Sequence, residues 1–288
     1  MQKIAIVIVV VGILSAGLLS GCTNNGVTNS VVNKPSTPTE TESQYKASCS
    51  DSINIDSLIS NPESFKGRRA AYIGTIDQVI AGSGQTAYRI DVGGNDDIYV
   101  TTEQNGNYVQ NDAIQMWGEI TGSYSYDSIA NYRITIPSMW VFYMQKADLE
   151  LNNGETLRWI GYEISVTYEK SVESYSYKSS YGDYVYTQTA TTGDKYVFII
   201  VSASNIFSKK ISVPCPYSMQ LIAEGKQYSY EGYLGDQGYQ DNCGEIYPGV
   251  NAEGKVVFQV PENVKNAKIS VELESYPDVS ASWTMAIN

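Results

Sequence analysis

The sequence predicts an all-β chain of two successive β units behind an N-terminal leader and a polar tether. Three observations lead there. Short apolar or alternating runs of strand length recur along residues 49–288, each bounded by Gly, Pro, Asn or Asp clusters. No amphipathic helix longer than a few turns is visible. The 288 residues suit two domains of ordinary size better than one small module.

The leader comes first. Residues 1–21 carry one positive charge, Lys3, then an apolar run from Ile4 to Leu19, then small residues ending at Cys22. This is the layout of a secretory signal peptide. The ending Leu19-Ser20-Gly21-Cys22 resembles the lipobox of prokaryotic lipoproteins. That resemblance implies lipidation of Cys22, with palmitate-like chains anchoring the protein to the cell membrane on its extracytoplasmic face. Each buried CH₂ contributes about 0.8 kcal/mol, so two or more chains hold stably. An uncleaved anchor helix and an ordinary signal peptide remain open. Each of the three places the rest of the chain outside the cytoplasm.

Residues 22–48 read as a disordered tether. Thr, Ser, Asn and Pro dominate Thr23–Ser48, and Val is the only aliphatic residue type there apart from Ala47. Such a segment buries too little apolar surface to offset the entropy of ordering. As a coil it spans on the order of 30 Å, and fully stretched about 85 Å.

Residues 49–148 form the first unit. Asp56 is expected to cap a short helix that stops before Pro62. Five strands follow: Ala70–Ile80, Thr86–Val92, Asp97–Thr102, Ala113–Thr121 and Tyr132–Met144. The strings Asn61-Pro-Glu-Ser-Phe65-Lys-Gly67, Tyr72-Ile-Gly74-Thr-Ile76 and Gln115-Met-Trp117-Gly118-Glu119-Ile120 resemble those of small exported OB-fold domains. The resemblance implies a five-stranded OB-like barrel, with Gly74 and Gly118 allowing the strands to coil. OB folds often bind oligonucleotides or oligosaccharides on one strand face, and Tyr72, Tyr88, Tyr99 and Trp117 are the aromatic candidates for such a face. The other reading of these four is core or strand-favouring surface. Six basic residues against twelve acids in this unit argue against nucleic acid.

Residues 149–288 form the second unit. Ile164 and Val166 alternate with polar neighbours as in a half-buried strand, and Lys195–Asn205 is a short, nearly continuous apolar run. Met219–Ala223, Gly254–Val260 and Ala267–Leu273 are further strands, and the set indicates a β-sandwich. Tyr196–Asn205, and Tyr247-Pro248-Gly249 followed by Gly254–Pro261, resemble the secreted immunoglobulin-like domains of unknown function found on microbial lipoproteins. That resemblance implies an immunoglobulin-like interaction or spacer module with no assigned chemistry. Ser171–Ala190 departs from the family pattern. There Tyr175, Tyr177, Tyr181 and Tyr184 crowd a Ser/Thr-rich hairpin, a composition suited to adaptable contacts. Cross-strand pairing alone is the competing explanation.

Composition excludes several chemistries. The chain has no His, which removes Ser-His-Asp triads, Cys-His dyads and HExxH zinc sites. Its 19 basic and 31 acidic residues give a formal charge of −12, unsuited to a nucleic-acid partner. Of the four Cys, Cys215 and Cys243 share a domain and are expected to form a disulfide, which leaves Cys49 odd. The acids Asp91, Asp96 and Asp97, and Asp236 with Asp241, match no EF-hand and read as solvated turns. No enzyme, cofactor or metal is expected. The expected role is a binding or adaptor module at the envelope, with another envelope protein or a polysaccharide as partner. The alternative is carbohydrate binding or hydrolysis through aromatic platforms and a carboxylate pair.

Overall fold

The computed structural model describes residues 32–49, 53–81, 85–93, 96–104, 106–127, 132–178, 184–232, 234, 237–239, 243–275 and 278–288. The leader with Cys22, together with Tyr181, Asp236 and Asp241, lies outside the described residues. The described residues are all-β apart from two short helices, α1 (Glu42–Ser48) and α2 (Ile55–Ser60), and two single 3₁₀ turns.

The first unit holds β1 (Arg69–Ala81), β2 (Thr86–Asp91), β3 (Asp97–Thr102), β4 (Ala113–Asp127) and β5 (Arg133–Lys146). They form one sheet closed on itself in the order β1-β2-β3-β5-β4, with only β3 and β5 parallel. Alternation sends Tyr88 and Ile90 of β2, Ile98 and Val100 of β3, and Ile114 and Met116 of β4 into a common core. Gly74 and Gly118 sit where strands press together. A Cβ at Gly74 would collide with the Asp91 carbonyl, and one at Gly118 with the Trp140 carbonyl. The ladder shifts register at Trp117/Gly118 and at Ile120/Gly122, which bends β4 around the ring.

Two sequence expectations are corrected here. The cap of α2 is Asn54, whose side chain accepts from the Ser57 amide at 3.0 Å; Asp56 lies in the first turn. The tether, expected to run to residue 48, contains α1. Thr41 and Gln44 make a capping box, and Tyr45 is buried against Phe142 and Tyr143 with ring centroids 5.4 and 5.5 Å apart. Glu40 pairs with Arg69, and Lys34 with Glu103 at 2.5 Å. One buried aromatic and these ion pairs order a segment whose average composition reads as coil.

The second unit packs two sheets over one core. Its strands are β6 (Glu150–Asn152), β7 (Thr156–Trp159), β8 (Tyr162–Val172), β9 (Ser174–Lys178), β10 (Val185–Thr189), β11 (Asp194–Asn205), β12 (Ile211–Val213), β13 (Met219–Ala223), β14 (Lys226–Ser229), β15 (Gly244–Ile246), β16 (Asn251–Pro261), β17 (Asn266–Ser275) and β18 (Asp278–Ala286). One sheet runs β16-β11-β8-β7 and the other β14-β13-β17-β18-β6, with two-stranded ribbons β9-β10 and β12-β15 alongside. Val197, Ile199, Val201 and Ala203 of β11 face Leu221, Ile269, Val271 and Trp283 across the core. Cys215 and Cys243 are joined as expected, Cα atoms 5.2 Å apart.

Candidate binding surfaces

The four aromatic candidates of the first unit do not share a face. Tyr88 is a core residue, only 1% exposed, because it has the same parity on β2 as Ile90. Trp117 points out of the ring but is buried, with the Lys46 ammonium 4.1 Å from its ring centroid. Tyr72 lies between the two units and reaches toward the Ile53 carbonyl at 3.4 Å; burial holds its phenol well above the ordinary range. Tyr99 alone stands on an outer surface row. It stacks on Tyr124 at 3.7 Å, and Tyr126 follows at 6.1 Å. Burial, and then the neighbouring Tyr124, push the Tyr99 phenol up to about 12.

Arg89 borders that row. Its guanidinium pairs with Asp77 and, at 3.1 Å, with Asp97, while Nη1 approaches the Tyr126 hydroxyl at 3.5 Å. Asp96 pairs with Lys209 at 2.5 Å. These acids are thus tied to cations. Among the described residues no group of three or more Cys, Asp or Glu could hold a metal ion.

The second unit offers an aromatic ladder. The ribbon β9-β10 pairs Tyr177 with Tyr186, Ser176 with Thr187 and Tyr175 with Gln188. Odd residues of β9 and even residues of β10 therefore share one face. Tyr175 sits edge-on to Tyr196 and Phe198 at 4.9 and 5.1 Å; Tyr177 follows at 6.2 Å, and Tyr186 stacks on Tyr177 at 5.6 Å. The ladder begins in a small apolar cluster with Leu234 and Val257 and ends in solvent. Tyr184 is 70% exposed and Tyr186 49%. Burial raises the Tyr175 phenol to about 12, the nearby Tyr196 adding to it.

The joint between the units was not signalled as a site by the sequence. Asn205 ends β11 and is buried; its amide donates to the Lys209 and Ile246 carbonyls at 2.9 and 3.0 Å, and its oxygen accepts from the Phe207 amide at 2.8 Å. This folds the 205–209 turn so that Phe207 packs against the first unit's core. Gly93 and Gly161 lie against the Phe207 ring, where a Cβ on either would come within 2.7 Å of it. Lys209 reaches Asp96, and Glu274 accepts from Trp159 Nε1 at 3.2 Å and from the Thr75 hydroxyl at 3.4 Å. A crevice of about 340 Å³ lies beside this joint, lined by Tyr72, Ile73, Gln115, Arg158, Ile160 and Phe207 among others. Burial raises the Glu274 carboxyl, and the Asp91 charge raises it further; burial likewise raises Asp91.

Residues 160–282, 123 of the 288 and so less than half of the chain, match the family described as a domain of unknown function (DUF4352). The matched residues lie within the second unit. No curated protein matches the chain. Among solved structures, the chain is similar to an uncharacterized β-sandwich protein from Clostridium difficile, at 15% identity and TM-score 0.33, over 49% of this chain and 96% of that one. It is also similar to the yjhA protein from Bacillus subtilis, at 12% identity and TM-score 0.36, over 48% of this chain and 99% of that one. A third is a candidate lipoprotein (ycdA) from Bacillus subtilis, at 13% identity and TM-score 0.31, over 49% of this chain and 39% of that one. None of these likenesses bears on function.

Proposed function

We propose that this chain is a lipid-anchored binding or adaptor module on the extracytoplasmic face of the cell membrane, with no catalytic chemistry of its own. Lipid on Cys22 sets its location. The strand order β1-β2-β3-β5-β4 supports an OB-like barrel as the membrane-proximal unit, and the two facing sheets support an immunoglobulin-like sandwich beyond it. Because Val32–Ser48 lies against the first unit, only about ten residues link it to Cys22, a reach of at most about 35 Å.

The observation that carries the reading is the aromatic ladder on β9-β10. Its root is anchored in the second unit, and its end presents Tyr184 and Tyr186 to solvent. Tyrosines so placed give large contact area with few rotors. The test is retention of the full chain's partner from detergent-solubilised membranes. Wild type should hold a defined companion, and Tyr184→Ser with Tyr186→Ser should lower its recovery at least tenfold. Equal recovery by both, or turnover of a polysaccharide with no companion, would defeat the proposal. Incorporation of a palmitate analogue should vanish in Cys22→Ala; label that survives would refute the anchor's placement.

A carbohydrate reading has its own support in the Tyr99-Tyr124-Tyr126 row beside Arg89. Asp77 and Asp97 there are ion-paired to Arg89, which favours binding over hydrolysis. Retention on immobilised cell-wall polysaccharide, lost in Tyr124→Ala, would shift the assignment to this surface.

A further inference from the structure

Strand β10 is where the fold leaves an edge open. Among the described residues it pairs with β9 alone, and Val185–Thr189 are all exposed. An edge of unpaired N–H and C=O groups is a template for another strand, and proteins blunt such edges with charge, Pro, bulges or very short strands. The other sheet edges of the second unit are blunted in these ways. Strand β7 carries Arg158, β6 Glu150 and β14 Lys226. The outer side of β16 is bridged by Tyr230 and Gly238, and β12 and β15 have three residues each. Strand β9 carries Lys178. Strand β10 reads Val-Tyr-Thr-Gln-Thr, with no charge, no Pro and no register shift against β9.

Laid antiparallel on itself, this strand is self-complementary. Full overlap of the five residues places a two-fold axis at Thr187. Thr187 then faces Thr187, Tyr186 faces Gln188, and Val185 faces Thr189. Thr–Thr pairs are favourable across strands, and no like charges oppose each other. On a chain of net charge −12, a neutral edge is a place where two copies can meet without that penalty. The contact is isologous and closes at two.

We infer that β10 is a homodimer edge, through which two copies join their ribbons into one four-stranded antiparallel sheet, β9-β10-β10-β9. A five-residue strand pair is small beside the roughly 1,200 Å² of a stable interface. The dimer therefore depends on copies sharing one membrane surface, where effective concentration is high. The inference thus rests on the anchored-adaptor reading, and it names one occupant of the ribbon's edge rather than of its tyrosine face.

The test uses the full chain in its own membranes, with single cysteines and a mild oxidant, read on non-reducing gels. Opposed Cα atoms in an antiparallel pair lie about 4.5–5.5 Å apart, within disulfide range. Thr187→Cys should give a band of twice the mass. Val185→Cys should not, because its symmetry mate lies about 14 Å away along the strand. Co-expressed Val185→Cys and Thr189→Cys should give the band again. No dimer in either arm, equal yields at 185 and 187, or a cross-linked band of another mass would overturn the inference. Partner capture through Tyr184 and Tyr186 is read separately, so loss of the dimer alone leaves the adaptor proposal standing, and loss of capture alone leaves the edge contact standing.

Discussion

The two units are held shut by different means. The first closes its sheet on itself, so every strand has two neighbours, and a strap from the N-terminal side, Val32–Ser48, lies against the outside of the ring. The second has open sheets with edges, a covalent tie between Cys215 and Cys243, and a two-stranded ribbon whose root packs on the body while its far end is exposed. Hydrogen-bond closure removes edges and with them contact sites; open sheets keep edges and need other restraints. The contrast predicts that the first unit is the rigid support and the second carries the adaptable contacts.

The largest expected effect breaks the second unit's restraint. Replacing Cys215 and Cys243 together by Ser frees a loop of 28 residues' separation, costing about 3–4 kcal/mol in the chain-entropy account. For a chain of this size that lowers the melting temperature by about 10 °C. Hydrogen exchange should show the loss in β11–β18, while β1–β5 keep their protection. Equal loss in both units would remove the distinction.

Next comes the strap. Tyr45 is 1% exposed, and its ring fills the space beside Phe142 and Tyr143. Tyr45→Ala should cost about 3 kcal/mol and open residues 32–48 to proteolysis. The Tyr45 hydroxyl is buried and has no hydrogen-bond partner among the described residues, so Tyr45→Phe should be neutral or stabilising. Cys49 reports the same event. Burial pushes its thiol up to about 11, so alkylation at neutral pH should be slow until Tyr45→Ala loosens α1.

The joint between the units gives a smaller, pH-dependent effect. Glu274 and Asp91 both have carboxyls raised by burial, Glu274 also by Asp91 and Asp91 also by Asp96. The native state then holds protons that the unfolded chain has released. Stability from these groups is present at low pH and lost as pH rises through their folded values. The melting temperature should rise as pH falls from neutral toward the ordinary carboxylate range. Glu274→Gln should stabilise the protein at neutral pH and flatten that dependence, since its amide can still accept from Trp159 and donate to Thr75. A profile unchanged by Glu274→Gln would sink this account.

Much of this was legible from period and punctuation. Strands β3 and β13 fall on their predicted bounds, and β1, β2, β5 and β11 fall within two residues of theirs, because alternating or continuous apolar runs stop at turn residues. The parity that separates Tyr88 from Tyr99 was also present: Ile90 faces inward two residues from Tyr88, while Ile98 and Val100 flank Tyr99. The capping box at Thr41 and Gln44 was likewise a local signal, overridden by average composition. Other features were beyond local reading. Trp117 is outward by parity and is covered by Lys46, 71 positions away in sequence. The insertion of Phe207 into the first unit depends on how two folded bodies meet, and nothing in a turn's composition states that. Strands β6, β12 and β15 have three residues each, too few to show a period.

The smallest expected effect is also the sharpest for function. Tyr184 and Tyr186 are exposed, and removing their rings deletes little packing. Tyr184→Ser should leave thermal stability within about 0.5 kcal/mol of wild type. Tyr175→Ser should cost more, because its ring lies edge-on to Tyr196 and Phe198 over a buried cluster. The ladder thus divides into a root that pays structurally and a tip that does not. If the tip variants unfold the ribbon, measured as lost hydrogen-exchange protection at 174–178 and 185–189, the tyrosines are pairing residues, and the excess of aromatic surface needs no partner to explain it. If protection persists while partner retention falls, these rings serve contact, and a surface tolerant of mutation for stability is constrained by binding alone.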